Sequence, residues 1–295
     1  MSKMQYLVAM PTIAIVGATG LVGKELQKVL KIRNFPVDEL RLFSSKDSAP
    51  NFRGVDIAFF CVSASVAEVL IPKALEEGSL CIDSSSAFRM EPHVPLVIPE
   101  INPSALKGHK GLIASPNCTT TLMLLALAPL HAVSPIEKII CSSYQAASGA
   151  GARALEEMRS KASLHESPQN NSGYNEEEEK MHWESQKILG DDSLVVSATC
   201  VRVPIPRVHS LSLHCTFKEE IALDQAEELL KNSPGLEWVD HAFTTDEASG
   251  KEAVFCGRLR VARDDPKSLE LWVLGDQLLK GAALNSVQIA EECLK

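Results

Sequence analysis

Apolar and polar positions alternate in blocks along the first part of the chain. Thr12–Val16 is a short β-branched run, and Lys24–Ile32 behind it carries helical spacing. Leu40–Phe43, Asp56–Val62 and Leu80–Ile82 read as further strands, with a helix from about Val66 to Glu77 between the last two. This alternation predicts a parallel sheet with right-handed crossovers, whose polar loops at the strand carboxyl ends take a ligand. The run Leu122–Leu130 lacks polar interruption and predicts a buried helix. Beyond it the pattern changes. Ile139–Tyr144 reads as a strand, Ala152–Ala162 as a helix, Ser163–Asn175 as a polar loop and Glu176–Lys187 as a charged helix. Strands follow over Ser193–Val203, Leu211–Phe217, Ala253–Val261 and Ser268–Leu274, with helices over Asp224–Lys231 and Lys280–Leu294. Consecutive strands without intervening helices predict a mixed α+β second half. The charge run Glu176–Glu179 reads as a solvated helix face.

Composition narrows the function classes. With 295 residues, 45% of them hydrophobic and 23% charged, the chain reads as a soluble globular protein of one large or two ordinary domains. A net charge of −9 argues against nucleic-acid binding. The eight cysteines contain no CxxC pair and lie too far apart for a local metal knuckle, so reduced thiols, a cytoplasmic location and no metal are expected. Met1–Met10 has one Lys and no long apolar core, so no signal peptide is expected. Leu122–Val133 is too short to cross a bilayer and is interrupted by Pro129 and His131, so no membrane association is expected.

Three stretches carry chemistry. Gly17, Ala18, Thr19, Gly20, Leu21, Val22 and Gly23 stand between a strand and a helix, in the spacing GxxGxxG. In that context the glycines let the backbone approach a pyrophosphate seated on the helix N-terminus, so the reading is a Rossmann-type nucleotide-binding domain. Ser115, Pro116 and Asn117 are turn formers ahead of the apolar run, which puts Cys118 at or just before a helix N-terminus. Free backbone N–H groups and the helix dipole there stabilise a thiolate and an oxyanion built next to it. Arg202 and His209 lie seven residues apart around a double-Pro bend, so both can face one cavity. Cys118 and His209 form a candidate nucleophile and acid/base pair.

These residues, with SSSAFRMEPHVPLVIPEIN (Ser84–Asn102), SPNCTT, SSYQAASGAG (Ser142–Gly151), YNEEEEK (Tyr174–Lys180), RVPIPRVHS (Arg202–Ser210) and GDQLLKGAALNSVQIA (Gly275–Ala290), resemble the aspartate-semialdehyde dehydrogenase family over nearly the whole chain. The resemblance implies NADPH-dependent reduction of L-aspartyl 4-phosphate to L-aspartate 4-semialdehyde and phosphate through a cysteine thioester. That reaction stands on the route to lysine, threonine, methionine and diaminopimelate. It implies Cys118 as nucleophile and His209 as general acid/base. Asn117 would assist at the acyl oxygen, Gln145 and Arg202 would orient the substrate, and Glu177 would meet its α-ammonium. Lys180 and Arg89 would bind phosphate. The cofactor, NADP with NAD possible, would lie on residues Gly17–Gly23 with Ser44, Ser45, Lys46, Gly149 and Gln277. The expected domains are 1–117, completed by a C-terminal helix 276–295, and a catalytic and dimerisation domain over 118–275. A homodimer follows from the same resemblance.

Two departures and two alternatives accompany it. Between Pro50 and Asn51 the chain lacks a segment of about a hairpin's length that the family carries after its second strand, and the loop near Ser163–Gly173 is short. By alignment Asp47 stands where NADP-preferring relatives carry Arg, 24 residues beyond Gly23, near the position of the acidic residue that meets a ribose in NAD sites. A weaker preference for NADP over NAD is expected. N-acetyl-γ-glutamyl-phosphate reductase shares the architecture and thioester logic, although Glu177 and Arg202 favour a free amino acid. A catalytically weakened paralogue with a binding role is the alternative from another class.

Overall fold

The β-branched run folds as β1 (Ile13–Val16), buried at every position. It is seen in a computed structural model that describes residues 10–45, 50–151, 155–156, 165–166 and 169–295. The first compact unit runs to Pro116 and takes in Ala282–Lys295. Its sheet adds β2 (Leu40–Phe43), β3 (Ile57–Phe60), β4 (Leu80–Asp83) and β5 (Leu112–Ala114), all parallel, in the order β2-β1-β3-β4-β5. The inner strands β1, β3 and β4 are buried along their whole length, as a parallel sheet covered on both faces requires. Helices α1 (Leu21–Ile32) and α2 (Ala64–Glu76) make the crossovers. The chain steps from β1 out to β2 and then back across to β3, which opens a crevice at the carboxyl ends of β1 and β3. The C-terminal helix Leu284–Leu294 returns to this unit. There Asn285 donates to the Val97 carbonyl (3.0 Å) and to Ser115 Oγ (2.9 Å), and Glu291 pairs with Arg33.

The second unit, Asn117–Gly281, is built on a seven-stranded mixed sheet. Its strands are β6 (Ile136–Gln145), β7 (His165–Glu166), β8 (Val195–Arg202), β9 (His209–Phe217), β10 (Leu236–Val239), β11 (Val254–Ala262) and β12 (Asp265–Gly275), in the order β10-β11-β12-β9-β6-β8-β7. Helices α3 (Cys118–His131), α4 (Glu176–Leu189) and α5 (Leu223–Asn232) pack against it. The apolar run is indeed a buried helix: Thr119–Leu127 and Leu130 are all inaccessible, and α3 continues through Pro129 to His131.

Several expectations need correction. β5 and β10 were not expected; they are held by pairing with β4 and β11. The chain leaves the second unit at Ala282, not at 276, because Asp276 and Gln277 bond to Arg207, Gly250, Val208 and Ser148 of that unit. Asn117 likewise belongs to the second unit, as the cap of α3. The charge run is not simply a solvated face. Glu178 is buried, where it completes a capping box with Asn175 and accepts the Cys200 N–H at 2.7 Å. The helix expected over 152–162 and the loop expected over 163–175 lie largely outside the described residues.

Candidate active site

Helix α3 starts at Cys118, and Asn117 is its N-cap. The Asn117 side-chain oxygen accepts the N–H groups of Thr119 (2.9 Å) and Thr120 (3.4 Å), and its amide donates to Glu177 at 2.6 Å. Two of the N–H groups that the sequence leaves open for an oxyanion are therefore spent on the cap. The dipole of a 14-residue helix still ends at the thiol. Across from it, His209 opens β9, fully buried, with Nε2 at 3.5 Å from Cys118 Sγ. Burial first, and the charge of Arg202 second, push the His209 imidazole down to about 3, so the ring is neutral at physiological pH.

The turn after β6 holds this pair. Ala146 donates its N–H to His209 Nδ1 (3.0 Å) and accepts Arg202 Nη1 at its carbonyl (2.8 Å). Gly149 lies so close to His209 and Arg202 that a Cβ there would be 2.8 Å from the imidazole Cε1. The backbone entering His209 is strained. Val208 has φ +77°, costly for a β-branched residue, and it is held by burial among Val239, Phe255 and Leu274 and by its N–H on the Gln277 side chain (2.8 Å). Gln277 also donates to Ser148 Oγ at 2.6 Å, so its amide ties the two loops together. Gln145 reaches Thr119 Oγ1 (3.1 Å), and Lys180 is held by Glu176 (2.7 Å) and Glu177 (3.4 Å).

In the first unit, the crevice at the ends of β1 and β3 is a cavity of about 520 Å³, lined by Gly17, Thr19, Gly20, Ser44, Ser45 and Val66 among others. Gly17 has φ +87°, and a Cβ on it would collide with the Cys61 carbonyl. A Cβ on Gly23 would strike the Gly17 carbonyl, so α1 packs directly on the turn. Those constraints, with the α1 N-terminus behind them, fit a dinucleotide pyrophosphate. Lys46 and Asp47 lie outside the described residues.

Residues 127–280 match the family model of the semialdehyde dehydrogenase dimerisation domain, and 12–51 with 47–109 match that of the semialdehyde dehydrogenase NAD-binding domain. The aspartate-semialdehyde dehydrogenase of Prochlorococcus marinus is 40% identical, the match covering 95% of either chain. A solved structure of aspartate semialdehyde dehydrogenase II from Vibrio cholerae superposes with a TM-score of 0.92 at 34% identity, covering 96% of this chain and 98% of that one. The chain belongs to the aspartate-semialdehyde dehydrogenase family. The two matched pieces of the NAD-binding domain meet at 47–51, where the sequence lacks a segment. The Prochlorococcus alignment extends over 325 residues against 295 here, in keeping with segments this member has lost.

Of the residues the family resemblance singles out, Cys118, His209, Asn117, Glu177, Lys180, Gln145, Arg202, Gly149 and Gln277 all fall in the second unit. Arg89 belongs to the first. It is buried and donates to the carbonyls of Ser115 (2.9 Å) and Ser84 (2.8 Å). Sequence reading passed over Glu184, which is buried and accepts the Asn117 N–H at 2.7 Å. Its spacing of seven from Glu177, two helical turns, was the available signal. Gly281 was passed over too: a Cβ there would lie 2.7 Å from Cys118 Cβ, and an isolated Gly inside a helical pattern is the mark of such an approach. The backbone of Ala146 left no trace in the sequence.

Proposed function

We propose that this chain reduces L-aspartyl 4-phosphate to L-aspartate 4-semialdehyde and phosphate, with Cys118 as the nucleophile and His209 as its acid/base partner. The observation that carries the reading is the Cys118–His209 approach of 3.5 Å at the N-terminus of α3. The thiolate attacks the acyl carbon, phosphate departs and a thioester remains on Cys118. Gly17–Gly23, Ser44 and Ser45 would hold a nicotinamide dinucleotide, which when bound would supply the hydride for release of the semialdehyde. Arg202 uses one donor on the Ala146 carbonyl, which leaves its planar fork for the substrate α-carboxylate. Glu177, which holds Asn117 and Lys180 on its two oxygens, would meet the α-ammonium. Lys180 would take the phosphate. Gln145, pinned through Thr119, would orient the substrate carbonyl.

The partner we propose is a second copy of the chain. The family model covering 127–280 is that of a dimerisation domain. One face of the second sheet leaves Ile140, Tyr144 and Val195 exposed. The cofactor is NADP(H), discriminated only weakly from NAD(H), since a carboxylate at Asp47 repels a 2′-phosphate. Asp47→Arg should raise the NADP⁺/NAD⁺ ratio of kcat/KM about tenfold, the size of one charge-assisted contact. A ratio unmoved by the substitution would show that Asp47 does not face the ribose. The direct test of the activity is NADP⁺ reduction by the purified protein with aspartate semialdehyde and phosphate. A reaction that proceeds only with the N-acetylated five-carbon semialdehyde would overturn the substrate.

A further inference from the structure

The strand pair that carries His209 ends beside a buried carboxylate that the proposed chemistry does not use. β12 runs antiparallel to β9 with Gly275 opposite His209, so Asp276, the next residue, sits beside the turn that leads into the histidine. Asp276 is fully buried. Its Oδ2 accepts Arg207 Nε (2.5 Å) and the Gly250 N–H (2.7 Å), and its Oδ1 accepts the N–H groups of Leu278 (3.0 Å) and Leu279 (3.3 Å). Arg207 stands one residue before Val208, whose φ of +77° persists in a β-branched residue only where the surroundings over-determine it. Two side chains of one short segment supply that constraint: Asp276 grips Arg207, and Gln277 accepts the Val208 N–H at 2.8 Å. The same segment touches the helix of the nucleophile. A Cβ on Gly275 would strike the Leu122 side chain, and one on Gly281 would lie 2.7 Å from Cys118 Cβ.

On the functional reading above, which this rests on and deepens, we infer that Asp276 is a positioning residue for the Cys118–His209 pair. It acts through Arg207 and through the turn that its Oδ1 closes. The carboxylate keeps Arg207 seated, and Arg207 with Gln277 keeps Val208 in the left-handed region. With the Arg207 grip gone, the backbone relaxes toward negative φ, and the imidazole that opens β9 turns off the thiol. At the other end, loss of the bonds at Oδ1 frees the turn that leads to Gly281 and its packing on Cys118. An approach of 3.5 Å tolerates little of either, because small misplacements of reacting groups slow a reaction steeply. Glu177 and Arg202 are held elsewhere, Glu177 by Asn117 and Lys180 and Arg202 by the Ala146 carbonyl. Substrate binding is therefore spared while the chemical step suffers.

The test separates positioning from stability. Asp276→Asn is close in shape, but an amide in that place sets a donor against Arg207 Nε and the Gly250 N–H. At a temperature where the variant is folded by near-ultraviolet circular dichroism, kcat with aspartate semialdehyde should fall about tenfold or more, while KM changes less than about twofold. Iodoacetamide should label Cys118 about threefold more slowly or worse, because the thiol has lost its neighbour. Arg207→Ala should give the same pattern, and the double variant should be no slower than Asp276→Asn alone, as residues that act through one contact require. A folded Asp276→Asn enzyme with wild-type kcat and labelling, a loss confined to KM, or losses that multiply in the double variant would overturn the inference. Should Asp276→Asn not fold, Arg207→Lys carries the test, since it keeps the cation and removes Nε. A fall in kcat of about threefold or more at constant KM then supports the inference, and wild-type kcat overturns it. Labelling of Cys118 needs no substrate, so the two readings fail separately. A wild-type protein without turnover, whose labelling still depends on Asp276, removes the proposed reaction and leaves the positioning. Turnover that ignores Asp276 removes this inference alone.

Discussion

At the scale of single residues, the eight cysteines are not equivalent. Burial pushes the thiols of Cys61, Cys200 and Cys256 up to about 12 and that of Cys293 up to about 11, and it raises Cys81, Cys141 and Cys215 as well. A raised thiol is a poor nucleophile at neutral pH. Iodoacetamide should therefore label Cys118 ahead of the other seven, and peptide mapping after brief exposure checks it. Cys118→Ser should lose about three orders of magnitude in rate, because a hydroxyl is seldom ionised at pH 7. His209 makes a different prediction, about stability. Its folded value of about 3 lies below the ordinary histidine value, so the unfolded chain takes up the proton first as pH falls. The folded state is thus penalised progressively below pH ~6.5, by about 1.4 kcal/mol per unit until the folded value is reached. Urea midpoints at pH 7 and pH 4.5 should fall further for wild type than for His209→Gln, which has no such group. Equal falls would mean that the buried ring ionises without penalty.

At the scale of elements, the N-terminus of α3 is where packing tolerance is smallest. Gly281 packs against Cys118, and the atom a methyl would meet is the cysteine Cβ, fixed by the first turn of the helix. Gly281→Ala should therefore displace Cys118 and lower kcat by tenfold or more, since small misplacements of reacting groups carry large costs. A variant with wild-type kcat and the same alkylation rate would show that the segment yields instead. The same elements show what could be read beforehand. The GxxGxxG turn, the helix start at Cys118 and the buried run after it were legible because each follows from local rules of turn and period. The three-residue β5 and the buried carboxylates of Glu178 and Glu184 were not, because tertiary partners far along the chain hold them. Cys118 and His209 could be named from sequence, but their approach across 91 residues could not be measured there. The Ala146 N–H is a backbone group, and any residue but Pro would have supplied it.

At the scale of the whole molecule, the second sheet leaves Ile140, Tyr144 and Val195 exposed among the described residues. β6 and β8 run parallel in a register that sets Ile140 beside Ser197, Ser142 beside Thr199 and Tyr144 beside Val201. On that face Ile140 and Val195 are about half exposed, at 46% and 47%, and the Tyr144 ring lies 5.8 Å from that of Trp272 on β12. Aromatic and branched side chains flanked by small hydroxyls, with the exposed Lys138 beside Val195, make an apolar patch with a charged margin, suited to a copy of itself. A pair of like charges placed there meets its own symmetry mate, so Ile140→Lys with Tyr144→Lys should convert a dimer into a monomer. Sedimentation at micromolar protein checks this. The consequence for activity follows from the strand. Tyr144 is followed at once by Gln145 and Ala146, the residues that hold Thr119, His209 and Arg202. A β6 end released from its partner would let the Ala146 N–H drift from the imidazole, so the monomer should lose kcat more than it raises KM. A monomeric variant with full kcat would show that the turn is rigid on its own and that the dimer serves stability alone.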